Sequence, residues 1–185
     1  MPESHLVLGG ARSGKSRFAV AANADRSRVA FVATARAGDG DMASRIARHR
    51  AERPAAWTTV EAPFDLPAAL ERLAGQRFDA VVVDCVTVWV GNRLLRGDTD
   101  ESTLAESARL VEVVRRRPWD LTVVTNEVGE GVHPPTEAGM RFRDVLGLVN
   151  QRIAAACDRV TLMVAGVPLA VKAPGPARDI APQAP

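Results

Sequence analysis

His5-Leu6-Val7-Leu8 leads into Gly9-Gly10-Ala11-Arg12-Ser13-Gly14-Lys15-Ser16, and Arg17-Phe18-Ala19-Val20-Ala21-Ala22 follows. The middle block meets the phosphate-cradling pattern G-x-x-x-x-G-K-[ST] at each fixed position. The apolar run before it suits a buried strand and the run after it suits a helix, so strand, glycine loop and helix stand in the required order. Glycines let backbone N–H groups curl around phosphate, and the start of the helix directs partial positive charge at the same anion. The pattern assigns the Lys15 ammonium to the β and γ phosphates and the Ser16 hydroxyl to a Mg²⁺ ion. A site for ATP or GTP follows from this stretch.

The rest of the chain extends that start into an α/β architecture. Val29–Ala33 reads as a second strand, and Asp41 caps a predicted helix that runs to about Arg50. Trp57–Glu61 reads as a short strand and Leu66–Leu73 as a helix. Phe78–Asp84 is the clearest buried strand, with Val81, Val82 and Val83 in a row and an acid at its end. Helical patterns at Val86–Leu95 and Leu104–Arg116 precede the strand Leu121–Thr125. A helix from Glu137 to about Cys157 and a strand over Val160–Val164 complete the expected core. Strands alternating with helices imply a mostly parallel sheet with helices on both faces. Ligands bind beyond the carboxyl ends of such strands, where Gly9, Thr34, Asp84 and Asn126-Glu127 fall.

Composition sets limits on function. At 185 residues the chain suits one domain, here 1–172, followed by a Pro/Ala-rich stretch at 173–185 with little to bury, which reads as a disordered tail. Lysine occurs only at 15 and 172, so a strong arginine bias leaves a compact ammonium inside the glycine loop. Net charge is +2 and the arginines are scattered among acids, which argues against nucleic acid as a partner. Cys85 and Cys157 show neither zinc nor disulfide spacing and read as ordinary thiols of a reducing cytoplasm. No apolar run approaches the ~20 residues of a membrane span.

Three further features bear on chemistry. Asp84, ending a buried strand in a chain with a phosphate loop, suits a role at the nucleotide, holding Mg²⁺ or its waters, against the plainer role of closing a strand. Asn126 and Glu127 follow the strand Leu121–Thr125; Glu127 reads equally as a base toward a substrate hydroxyl, a Mg²⁺ holder, or the cap of the next turn. In Arg45-Ile46-Ala47-Arg48-His49-Arg50-Ala51-Glu52-Arg53-Pro54 one histidine stands among four arginines. Such a block neutralises phosphate charge and keeps an imidazole neutral and nucleophilic. On residues alone, however, a solvated basic face with an incidental histidine is the stronger reading. His5 reads as structural and His133 as a surface loop residue. The tryptophans at 57, 89 and 119 suit either core packing or an apolar ligand.

Several blocks together resemble one family. They are the phosphate loop, Ala33-Thr34, the block Met42-Ala43, Arg45-Ile46, His49, Arg53-Pro54 and Trp57, then Val124-Thr125-Asn126-Glu127-Val128-Gly129, and Val149-Asn150-Gln151-Arg152. The chain is similar in these to the bifunctional adenosylcobinamide kinase / adenosylcobinamide-phosphate guanylyltransferase family of cobalamin biosynthesis. The resemblance implies a RecA-like parallel sheet and a trimer. It also implies phosphorylation of adenosylcobinamide and then transfer of GMP from GTP through a guanylylated histidine, at His49 in this chain. By the same resemblance Lys15 and Ser16 are the phosphate-loop pair, and Ala33, Thr34 and Ala35 line the nucleotide. Arg50, Ala51, Glu52 and Arg53 flank the histidine, and Glu61 and Asp84 are acidic GTP contacts. Asp84 departs from the family pattern, which carries glutamate there. Two other readings are a simple phosphate-loop kinase without a covalent intermediate and a non-catalytic GTP- or ATP-binding switch.

Overall fold

The computed structural model describes residues 1–36 and 53–174. The strands β1 (Ser4–Gly9), β2 (Val29–Ala33), β3 (Thr58–Glu61), β4 (Ala80–Asp84), β5 (Asp120–Val124), β6 (Arg159–Val164) and β7 (Val167–Lys172) make one sheet. It has seven strands in the order β3-β2-β4-β5-β1-β6-β7. Neighbours are parallel except for β6 and β7. The described helices are α1 (Lys15–Ala21), α2 (Leu66–Ala74), α3 (Val86–Leu95), α4 (Asp100–Arg116) and α5 (Glu137–Ala156).

The central strands are apolar on both sides because both faces are covered. Along β2 and β4 the alternation sorts side chains: Ala30, Val32, Val81 and Val83 face α2–α5, whereas Phe31, Ala80 and Val82 pack with Ala19 of α1 and with Trp57. Val81, Val82 and Val83 are wholly buried; each contributes about 1.5–3 kcal/mol by leaving water. All three tryptophans are buried in these cores. Trp89 Nε1 donates to the Phe64 carbonyl at 2.7 Å and Trp119 Nε1 to that of Leu73 at 3.4 Å, so their polar edges are satisfied inside.

Helix boundaries follow their caps. Thr99 Oγ1 accepts from Ser102 N at 3.1 Å, so α4 begins at Asp100, one turn before the expected Leu104; its first turn is polar and carries Asp100 and Glu101, which suit the helix dipole. Thr136 caps α5 in the same way through Gly139 N, 3.1 Å. At the other end of α5, Lys172 Nζ donates to the carbonyls of Ala154 and Ala155, both at 3.1 Å, where a cation satisfies orphan acceptors.

One expectation is corrected. The core was expected to end with the strand at Val160–Val164, yet Val167–Lys172 forms a seventh, antiparallel edge strand. A two-residue turn makes it possible: Ala165 and Gly166 both have positive φ, 50° and 86°, as a tight hairpin with the right twist requires. Every residue of β7 is exposed, so its apolar residues carry no burial pattern to read. The predicted helix after Asp41 lies outside the described residues, as does the tail from 175.

Candidate active site

The phosphate loop joins β1 directly to α1, and its backbone shows why its glycines stand where they do. Gly9 has φ 152°, and a Cβ there would lie 2.5 Å from the Met163 carbonyl oxygen of β6. Gly14 has φ 94° and ends the loop as the residue before α1. Arg12 also sits in the left-handed region, φ 57°, in the exposed bend of the loop. The loop is fastened to the sheet by Gly166 N to Ser13 O, 3.0 Å, and by Glu127 N to Gly9 O, 3.1 Å. Gly10 and Ala11 are exposed at its rim.

Lys15 is only 8 % exposed. Its Nζ donates to the Gly10 carbonyl at 2.5 Å and to Ser13 Oγ at 3.4 Å, so the ammonium is folded into the loop. Burial pulls its pKa down, while the nearby Cys85 and Asp84 groups act to raise it. A buried ammonium held by neutral oxygens is poised to exchange them for phosphate oxygens. Ser16 follows on the first turn of α1, partly exposed.

The acidic candidates share a row along the carboxyl edge of the sheet. Glu61, Ala33, Asp84, Val124 and Val7 are successive register partners across β3, β2, β4, β5 and β1. Thr34, fully buried, ties two strand ends together: its N donates to Asp84 O at 3.2 Å, its Oγ1 donates to Cys85 O at 2.7 Å, and Cys85 N donates to Oγ1 at 2.9 Å. Asn92 Nδ2 donates to Thr34 O at 2.9 Å and to Pro63 O at 3.0 Å. Thr34 therefore spends its hydroxyl on the scaffold, and Ala35 continues the chain beyond it, half-buried. Burial pushes the Cys85 thiol up to about 11, which keeps it protonated beside this edge.

Glu127 Oε1 accepts from Gly129 N at 2.6 Å, the geometry of a cap on the next turn, while its own N–H holds the phosphate loop. Arg53 lies on the face of the sheet that α1 covers, its guanidinium carbon 3.4 Å from the centroid of Phe31, which stacks on Trp57. His49, Arg50, Ala51 and Glu52 lie outside the described residues. His5 is built into the sheet: its Nε2 meets Thr161 Oγ1 at 2.8 Å, and Phe18 covers it edge-on. His133 sits on the surface against Arg143.

Thus Gly9–Ser16, Ala33–Ala35, Glu61, Asp84, Asn126 and Glu127 gather at one edge, and Arg53 lies over Phe31 on the same sheet. Asn92 and Thr87, two polar side chains that organise this edge, escape a reading based on motifs. Their signal is a polar residue inside the apolar stretch Val86–Leu95, which marks a required hydrogen bond rather than a solvent face.

Comparison with known proteins supplies what geometry alone does not. The model of the family described as cobinamide kinase / cobinamide phosphate guanyltransferase matches residues 5–171. The chain belongs to this family. It is 45% identical over 168 residues to the bifunctional adenosylcobalamin biosynthesis protein CobP of Pseudomonas aeruginosa, covering 90% of this chain and 96% of that one. It is 39% identical over 179 residues to the corresponding CobU of Escherichia coli K12, covering 90% and 98%. Among solved structures an ATPase of a bacterial type III secretion system superposes with a TM-score of 0.56 at 11% identity, over 88% of this chain and 51% of that one. The last likeness shows the fold alone, a mostly parallel sheet with helices on both faces.

Proposed function

We propose that the chain is a bifunctional transferase of cobalamin biosynthesis. It phosphorylates the aminopropanol hydroxyl of adenosylcobinamide with ATP or GTP, then transfers GMP from GTP to the new phosphate to give adenosylcobinamide-GDP. The observation that carries this reading is a complete phosphate loop, with a buried lysine, in a chain of the cobinamide kinase / guanyltransferase family. In the second step a neutral His49 nitrogen attacks the α-phosphorus of GTP, the bond to pyrophosphate breaks, and a phosphoramidate forms. A phosphate oxygen of the acceptor then attacks the same phosphorus, the P–N bond breaks, and the imidazole is restored. Two displacements replace one direct collision of anions.

The chain's own groups fit these steps. Lys15 meets the β and γ oxygens once it leaves the Gly10 carbonyl, and it steadies the departing phosphates. Ser16 and Asp84 offer hard oxygen donors that suit Mg²⁺. Bound there, the ion would draw off charge on the phosphates. Glu127 serves the substrate hydroxyl as base or orients it together with Asn126. Ala33, Thr34, Ala35, Glu61 and the segment Arg50–Arg53 are assigned to nucleotide contacts, with the shorter Asp84 at a position where the family carries glutamate.

Residues 1–172 form one catalytic domain in this reading, and the enzyme works in the cytoplasm with its soluble nucleotides. Among the described residues no helix is long and apolar enough to cross a membrane, and both cysteines are free thiols. A homotrimer follows from the family resemblance, and β7, the edge strand of the described sheet, exposes Val167, Leu169 and Val171 as a surface available to another copy.

The test uses GTP labelled at the α-phosphate, with Mg²⁺, on the wild-type protein and on His49→Ala. Label that stays on the denatured wild-type protein, is acid-labile and base-stable, and is absent from the variant is the expected result. Folded, GTP-binding wild-type protein that takes up no label would leave a simple kinase or a nucleotide switch as the better account.

A further inference from the structure

Beside the phosphate loop, four residues from three elements close a directional ring of hydrogen bonds. Asn126 N donates to Thr87 Oγ1 at 2.6 Å. Thr87 Oγ1 and Thr125 Oγ1 stand 3.2 Å apart, and Thr125 Oγ1 donates to Asn150 Oδ1 at 2.8 Å. The Thr125 proton is thereby committed to Asn150, so the Thr87 hydroxyl must be the donor toward Thr125. Asn150 Nδ2 closes the ring on the Asn126 carbonyl at 3.0 Å. Each member both donates and accepts, an arrangement in which neighbouring bonds polarise one another.

The ring sits where three parts of the candidate site meet. Thr87 is in the first turn of α3, just past Asp84 and Cys85; Thr125 and Asn126 leave β5; Asn150 reaches in from α5 and is 7 % exposed. Beyond the ring, the next residue, Glu127, donates its N–H to the Gly9 carbonyl of the phosphate loop. Asn150 otherwise occupies a core position, between Leu146 and Ile153 on the buried stripe of α5. An apolar side chain there would avoid the cost of burying an amide if packing were the only demand. Asparagine is the side chain of this length that offers an acceptor to Thr125 and a donor to Asn126 at once.

We infer that Asn150 is a positioning residue: through the ring it fixes the Asn126-Glu127 turn against both the Asp84 strand end and the phosphate loop, in the arrangement that group transfer requires. It touches neither nucleotide nor acceptor. Breaking the ring lets the turn shift, and a displacement of about 1 Å costs a positioned reaction on the order of 10- to 100-fold. Nucleotide affinity rests on the loop backbone and Lys15 and stays near its original value. This inference rests on the transfer chemistry proposed above.

The experiment measures kcat and KM for adenosylcobinamide phosphorylation, equilibrium GTP affinity and thermal midpoint for wild type, Asn150→Ala, Thr87→Val, Thr87→Ser and the double variant Thr87→Val/Asn150→Ala. Thr87→Val keeps shape at a half-buried helix position, so it tests the ring even where Asn150→Ala folds poorly. We expect kcat to fall about 10- to 100-fold in Asn150→Ala and Thr87→Val. The GTP dissociation constant stays within about three-fold, Thr87→Ser recovers activity to within about three-fold of wild type, and the double variant loses little more than the worse single one. Two outcomes would overturn the inference on an active wild-type enzyme. One is kcat within about two-fold in the folded Thr87→Val variant; the other is a double variant whose loss equals the product of the two single losses. A wild-type enzyme that phosphorylates nothing would instead sink the functional reading and this inference with it.

Discussion

At the amino ends of the central strands aspartates cap the neighbouring strand, whereas at the carboxyl ends neutral side chains and backbone do so. Asp79 accepts from Arg28 N at 3.1 Å, Asp120 from Glu3 N at 2.9 Å and Asp158 from Ser4 N at 2.9 Å. Each also pairs with an arginine: Arg28 at 2.7 Å, Arg26 at 2.6 Å and Arg117 at 2.5 Å. At the opposite edge Thr34, Asn92, Thr87, Thr125 and Asn150 hold the strand ends without charge, and the buried ammonium of Lys15 rests on a carbonyl. Both ends satisfy the same orphan backbone groups, yet among the described residues the carboxyl edge keeps a buried cation, Lys15, on neutral oxygens where the amino edge pairs its arginines with carboxylates. Charge at the amino edge is spent on the fold, whereas at the carboxyl edge the Lys15 ammonium bonds neutral loop oxygens.

That contrast breaks most visibly at Lys15. Lys15→Ala removes the cation proposed to meet the β and γ phosphates, and the rate of phosphorylation should fall at least about 10²- to 10³-fold. Because the lysine bonds only loop oxygens, the thermal midpoint should stay within a few degrees or rise, since a desolvated ammonium is no longer buried. Kinetics and melting curves on one preparation check both halves. A large fall in the midpoint would mean that Lys15 serves the fold as the amino-edge arginines do.

The mirror test is Asp158→Ala. It leaves Ser4, wholly buried, with an unpaired N–H and a hydroxyl that has lost the acceptor for its proton, and strips Arg117 of its partner, so unfolding should become easier by about 3 kcal/mol with kcat and GTP affinity unchanged. Burial opposes ionisation of Asp158, but the bonds from Ser4 and then the Arg117 charge outweigh it and hold the carboxyl below its usual range. Its folded pKa is thus depressed, and the stabilisation it gives is complete above the unfolded-state value and lost as pH falls through the lower, folded one. Denaturant melts near neutral pH and below pH 3.8 should show the wild-type advantage over the variant shrinking with acid.

How far each edge can be read in advance depends on the range of the interactions that make it. The phosphate loop and the strand at Val81–Asp84 are local patterns, glycines at fixed spacing and a β-branched run, so both are legible before any coordinates are known. The start of α4 is legible only through its cap, since Thr99 is followed by the polar turn Asp100–Thr103 and not by an apolar period. β7 is hidden because all its residues are exposed; only the Ala165-Gly166 turn announces it. The ring through Thr87, Thr125, Asn126 and Asn150 joins residues far apart in the chain, and no periodicity encodes which buried polar groups will meet. Strand order is silent for the same reason, yet it decides that Glu61, Ala33 and Asp84 share a row.

His5 gives the smallest and most specific test of the two edges, because it is a titrating group set into the amino half of β1 yet paired only with a neutral hydroxyl. Burial, reinforced by the Arg159 charge, lowers its pKa from 6.5 to about 4. Between those values the unfolded chain takes up a proton that the folded one refuses, so stability falls as pH drops through that window and levels off below it. The ring is half-buried, and access of water limits the effect to about 1 kcal/mol, or about 2–4 °C in the thermal midpoint of a chain this size. The measurement is the midpoint of wild type minus that of His5→Gln at pH 7 and at pH 4; the difference should drop by that amount on acidification. A difference that does not move would mean His5 accepts its proton in place, with Thr161 turning to accept from the imidazolium, and the amino half of the sheet would then tolerate a charge it did not pair with an aspartate.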